Sequence, residues 1–139
     1  MGPEGVFKVR RQHLQACYLI KDTSVKHNIP CMNGVAVASH DMTMNIIPRR
    51  TSCLSCVFPE VPPSAVPTIC VTAGILSSTA SAIAGLQRSE ALKLLTGQGR
   101  PNDGLLQSDV WENNFEVFSI KRQQDCTPPG KRRYQFLED

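Results

Sequence analysis

Apolar and polar positions change their period several times along this chain, and each change marks an element. Residues 14–27, LQACYLIKDTSVKH, place Leu14, Tyr18 and Val25 at helical spacing. The run closes at Asn28, ahead of Pro30, which disfavours helical geometry in the residue before it, so a helix ending at Asn28 is expected. CMNGVAVAS, residues 31–39, is a short continuous apolar run and reads as a buried strand. MTMNII, residues 42–47, alternates with Met42, Met44 and Ile46 on one face, and His40–Asp41 make the expected turn between the two strands.

Pro59, Pro62, Pro63 and Pro67 then make a stiff, extended loop that cannot enter a sheet interior. A long helix is expected from about Ile75 to Thr96, with Ile83, Leu86, Leu94 and Leu95 apolar and Gly97 as its C-terminal cap. The small residues Ala82 and Gly85 would let another backbone approach it closely. After the loop GQGRPNDG, the segments LLQSDV and FEVFSI flank WENN as a second hairpin. The tail CTPPGKRRYQFLED is a Pro-Gly turn followed by a short element. These elements predict an α/β fold, in which the long helix packs on a mixed sheet made from residues 31–38, 42–47, 105–110 and 115–120.

Composition narrows the class. With 139 residues, 41% of them hydrophobic and 19% charged, the chain is long enough for one independent core and too apolar for extended disorder. The net charge of +3 comes from small clusters at Arg10-Arg11, Arg49-Arg50, Lys121-Arg122 and Lys131-Arg132-Arg133. Aromatic residues are not interleaved with them, so no nucleic-acid platform is expected. The N-terminus has no apolar signal core, and Val6 breaks the myristoylation pattern, so the six cysteines are expected to stay reduced in a cytoplasmic setting. Residues 67–87 carry no charge and could span a bilayer by length, but six Ser/Thr hydroxyls and two glycines fit a helix packed inside a protein instead.

The candidate chemistry lies in thiols. Cys53 and Cys56 have the two-residue gap that lets two thiolates reach one tetrahedral zinc. Cys126 offers a third, but the position that would complete a second C-x-x-C is Pro129, and His40 serves only if the fold brings it near. The pair therefore reads as a zinc half-site, a degenerate one, or a redox dithiol. Redox motifs open a helix after a strand, and the prolines from Pro59 onward argue against a helix there. Cys70 stands just before the long helix, whose dipole would lower its pKa. No histidine is close in sequence, and local chemistry favours a buried structural cysteine.

CLSCVFPEVPP, VPTICVTAGIL and GLQRSEALKLLTG, in that order, resemble the C-terminal half of ThiF/MoeB/HesA-type enzymes, relatives of the ubiquitin-activating enzymes. The resemblance runs from about Tyr18 to the end, leaving residues 1–17 as a non-matching segment and 18–139 as part of a Rossmann-like domain. It implies adenylation, with Mg-ATP, of the C-terminal glycine of a ubiquitin-like or sulfur-carrier protein. It also implies zinc held by Cys53, Cys56 and Cys126, and makes Cys70 the candidate nucleophile. The family's G-x-G-x-x-G phosphate loop is absent from this sequence. Where the family has a metal-binding Asp, the chain reads Gln12, His13, Leu14, Gln15, Ala16 and Cys17. Mg-ATP is thus expected to need a separate ATP-binding half, or the chain is a non-catalytic module that binds a ubiquitin-like partner. An exposed sheet edge would also favour a homo-oligomer.

Overall fold

The computed structural model of the protein describes residues 14–58 and 73–123. In chain order these form α1 (Leu14–His27), β1 (Cys31–Val37), β2 (His40–Ile46), the single turn α2 (Leu54–Val57), α3 (Ser77–Thr96), β3 (Leu105–Asp109) and β4 (Asn114–Phe118). The proline loop with Cys70, and the tail with Cys126, lie outside the described residues.

α1 stops where its sequence says it should. Asn28 takes the left-handed conformation (φ 55°), which Asn tolerates better than most residues. The Ile29 N–H then donates to Ser24 O at 2.9 Å and the Asn28 N–H to Val25 O at 3.4 Å. This six-to-one and five-to-two pairing satisfies carbonyls the helix end would otherwise leave open.

The four strands lie in the order β1-β2-β3-β4, and every neighbouring pair is antiparallel. Among the described residues, the mixed sheet expected from sequence is represented only by an isolated parallel bridge between Ala38 and Ile75. The first hairpin also turns earlier than expected. Val37 pairs with His40, so the loop is Ala38–Ser39, and His40 and Asp41 belong to β2. Tertiary contacts explain the shift. Ala38 has φ 53°, a conformation that costs a non-glycine roughly 1–2 kcal/mol. Its N–H donates to Gly74 O, and its carbonyl accepts from the Leu76 N–H, each at 2.9 Å. Thr79 Oγ1 donates to the same carbonyl at 3.1 Å. The hairpin tip is thereby bonded to the start of α3, and Thr79 is fully buried there.

Side-chain alternation divides the sheet into two unlike faces. On one, Cys31, Met44 and Ile46 pack with Cys17 and Tyr18 of α1 and with Cys53 and Leu54, and this is the apolar core. On the other, Thr43, Asn45, Asp41 and Ser108 are buried polar residues. α3 covers this second face, and Gly34 permits the approach: a Cβ there would stand 2.5 Å from Gln87 Nε2 and 2.7 Å from Ile83 Cδ1. Gly85, the helix glycine expected to admit a neighbour, has nothing within 4 Å of its own virtual Cβ. Leu95 is likewise exposed, not packed.

Polar contacts dock α3. Gln87 Nε2 donates to Thr43 Oγ1 at 3.3 Å. Glu90 Oε2 accepts from Asn45 Nδ2 at 2.6 Å and from the Asn102 N–H at 2.8 Å. Its other oxygen takes Lys93 Nζ at 2.6 Å. Helix, central strand and the loop leading to β3 thus meet on one carboxylate. Partial burial pushes the Glu90 carboxyl up, but the bonds from Lys93, the Asn102 N–H and Asn45 outweigh it and hold it below its ordinary range.

Two outcomes follow. A carboxyl whose folded pKa lies below its unfolded one contributes stability that is complete above the unfolded value and is lost as pH falls through the folded value. Urea unfolding from pH 7 downward should therefore show an acid-side loss of stability that is smaller in Glu90→Gln, which should itself cost about 1–3 kcal/mol at pH 7. Equal pH slopes in the two proteins would count against the clamp. At Gly104, a Cβ would meet the backbone oxygen of Phe118 at 2.5 Å. Gly104→Ala should therefore cost about 1–3 kcal/mol, more than Gly34→Ala, whose obstacles are the movable ends of side chains.

Candidate functional site

The thiol pair is positioned by the turn that follows β2. Arg49 occupies the left-handed region (φ 66°), and the Arg50 and Thr51 N–H groups both donate to Ile47 O at 3.0 Å. Thr51 Oγ1 donates to Asn45 O and accepts from the Ile47 N–H, each at 2.8 Å. Ser52 Oγ donates to Ile120 O at 2.8 Å, tying the turn to the segment after β4. On the other side, the Tyr18 hydroxyl donates to Phe58 O at 2.9 Å and fixes the exit of α2 against α1. Sequence periodicity flags Tyr18 as core but is silent on Thr51 and Ser52, whose partners are backbone atoms that only the folded turn presents.

Within this frame the Cys56 N–H donates to Cys53 O at 2.9 Å. One helical turn then puts the two side chains on the same side, with Sγ atoms 3.7 Å apart. Neither sulfur is part of a disulfide. A disulfide would need about 2.05 Å. Two corners of a tetrahedral zinc with Zn–S bonds of about 2.3 Å lie about 3.8 Å apart, so the pair has the spacing of one edge of such a site. Among the described residues, no group of three or more His, Cys, Asp or Glu side chains is placed to hold a metal. The third expected ligand, Cys126, and the candidate nucleophile, Cys70, lie outside those residues.

His40 is not brought to the pair. It begins β2, whereas Cys53 packs with Ile46 at the other end, six residues and about 20 Å along the strand. His40 Nδ1 instead lies 3.2 Å from Asp109 Oδ2. Cys17 and Cys31 share the apolar core with Cys53. Burial pushes both thiols up, and for Cys31 a hydrogen bond with Ser24 opposes this only in part.

The remaining sequence motif is structural in its visible contacts. In GLQRSEALKLL, Gln87 reaches the sheet, Glu90 reaches the sheet and the 102 loop, and Lys93 neutralises Glu90. The spacing of three residues between successive partners keeps all three on one side of the helix.

A four-stranded antiparallel sheet with α1 on one face and α3 on the other, and a C-x-x-C turn at one end, defines an α/β protein. The chain belongs to the ThiF family, whose profile matches residues 12–128. It is 34% identical over 122 residues to the sulfur carrier protein ThiS adenylyltransferase of Bacillus subtilis, a match covering 86% of this chain and 35% of that protein. It is 32% identical over 124 residues to the SAMP-activating enzyme E1 of Haloferax volcanii, covering 88% of this chain and 45% of that one. The chain thus spans between about a third and a half of these curated relatives. Its fold resembles that of E. coli MccB crystallised with AMPCPP and MccA, with a TM-score of 0.68, 12% identity, and coverage of 84% of this chain and 37% of that one. No helix among the described residues is long and apolar enough to cross a membrane.

The thiols should separate by environment. In native, chelator-treated protein, iodoacetamide should label the partly exposed Cys56 faster than the buried Cys17 and Cys31. Mass spectrometry resolves the sites, and equal rates would contradict the packing of the α1 core.

Proposed function

We propose that this chain is the carrier-handling portion of a ThiF-type adenylyltransferase, which activates the C-terminal glycine of a ubiquitin-like or sulfur-carrier protein. The ThiF match over residues 12–128 carries the reading. The relatives whose names specify adenylyltransferase or activating-enzyme activity support it. In the reaction, a carboxylate oxygen of the carrier attacks the α-phosphorus of ATP and pyrophosphate leaves. A thiolate then displaces AMP from the acyl-adenylate to give a thioester. Cys70, which precedes α3 in the sequence, is the proposed thiolate.

The Mg-ATP site belongs to a separate half on this reading. The sequence has no G-x-G-x-x-G loop to set backbone amides around phosphates. The relatives are two to three times as long as the matched region, which leaves room for such a half. Exposed Phe115, Val117 and Phe118 on β4, the outermost strand among the described residues, with Leu92 and Leu95 on α3, offer apolar surface to that half or to a second copy in a homo-oligomer.

Zinc is the proposed structural metal. The Sγ separation of 3.7 Å fits two ligands from Cys53 and Cys56, with Cys126 as the third. Pro129 leaves the fourth position to water or another ligand. Bound there, the ion would neutralise thiolates and hold the turn after β2 to the tail. Such thiols require a reducing, cytoplasmic setting.

The missing phosphate loop favours one second reading, a non-catalytic module that binds a ubiquitin-like partner. ATP–pyrophosphate exchange with a ThiS-type carrier separates the two. The chain alone should give no exchange, and adding an ATP-binding half from a relative should restore it. Turnover by the chain alone would overturn the division of labour, and no exchange with the added half would favour the binding module. In the same protein Cys70 should alkylate faster than Cys17 or Cys31, and an equal rate would remove it as nucleophile.

A further inference from the structure

Two basic pairs that lie far apart in sequence become one surface in the fold. Arg122 Nη1 donates to Arg49 O at 2.6 Å, which seats Lys121-Arg122 beside Arg49-Arg50. The support is rigid. Arg49 holds its left-handed turn, Thr51 closes that turn, and Ser52 Oγ pins Ile120, one residue before Lys121. Arg49, Arg50 and Lys121 are exposed.

None of these four cations makes an ion pair among the described residues, whereas Lys21, Lys93 and Arg100 each have a carboxylate within 4 Å. Arg122 Nε is also buried without a hydrogen-bond partner among the described residues. Four positive charges with no ion pair among the described residues create a field that attracts an acidic surface and accelerates encounter. The patch adjoins the Cys53–Cys56 turn, because Arg50 precedes Thr51, Ser52 and Cys53.

We infer that Arg49, Arg50, Lys121 and Arg122 form a docking surface for an acidic face of a protein partner. A nucleic acid fits less well. Trp111 sits in the β3–β4 turn at the opposite end of the sheet, and exposed Phe118 at the end of β4 is a single ring beside the cations, not a run of stacking groups interleaved with them. Identifying the partner as the carrier protein rests on the function proposed above, but the surface itself does not.

The test uses the full 139-residue chain and a fluorescein-labelled deca-glutamate peptide, read by anisotropy. Arg50→Glu/Lys121→Glu removes two patch cations whose side chains make no hydrogen bond in the described structure. Arg88→Glu/Arg100→Glu makes the same change in net charge elsewhere. The patch variant should bind about tenfold more weakly than wild type while the control changes little. Wild-type binding should also weaken as salt rises from about 0.01 M to 0.15 M, where the Debye length falls from about 30 to 8 Å. No wild-type binding, or equal losses in both variants, overturns the surface. Tighter binding of a single-stranded oligonucleotide than of the peptide at equal salt overturns the choice of partner. Peptide binding at the patch without pyrophosphate exchange would leave the surface standing and the proposed activity fallen.

Discussion

The Glu90 carboxylate ties together three parts of the structure that are distant in sequence: α3, the central strand β2 and the loop before β3. Of the α3 residues only Thr79 is buried completely, and Ile83, Leu86 and Leu94 are half-buried, so polar contacts share in fixing the helix on the sheet. Asn45 joins the carboxylate to the central strand and the Asn102 N–H joins it to the loop before β3. Lys93, one turn further along, supplies the balancing charge. The partly desolvated carboxylate makes these bonds stronger than neutral ones, and removing it would take from the Asn102 N–H its side-chain acceptor.

A polar dock on one face throws the hydrophobic burden on the other. The α1 face carries Tyr18, Met44, Ile46 and Leu54, and three of its core members are cysteines. A cysteine in such a place is a small hydrophobe first and a chemical group second, since burial keeps its thiol protonated. By burial Cys53 belongs with Cys17 and Cys31, whereas Cys56 is partly exposed. The Cys53–Cys56 pair sits on a turn held by Thr51, Ser52 and Tyr18, which sets its sulfur spacing at 3.7 Å.

The same turn explains why the basic patch lies next to the thiols. Reversing the chain after β2 within a few residues requires a left-handed position, and Arg49 fills it. Its carbonyl accepts a hydrogen bond from the Arg122 guanidinium. Charge and thiols are therefore products of one backbone reversal. ThiF-family membership gives this end of the sheet its functional interest.

Much of the fold was legible from near neighbours alone. The helix over residues 14–27, its stop at Asn28, the long helix closed by Gly97 and the hairpin around WENN all depend on side chains within a turn or two, which is the range that periodicity and capping residues report. The adjacency of Cys53 and Cys56 was likewise local, as was the alternation of Met42, Met44 and Ile46. What the tertiary structure decided depends on partners about 40 to 70 residues away. The hairpin turns at Ala38 because the start of α3 bonds an otherwise unfavourable left-handed alanine. Gly34, not Gly85, is the point of close approach because the strand, not the helix, yields space. His40 is separated from the thiols by the length of β2, and two scattered basic pairs become one surface. Short-range preference selects the elements, and only long-range bonding selects which of their polar atoms meet.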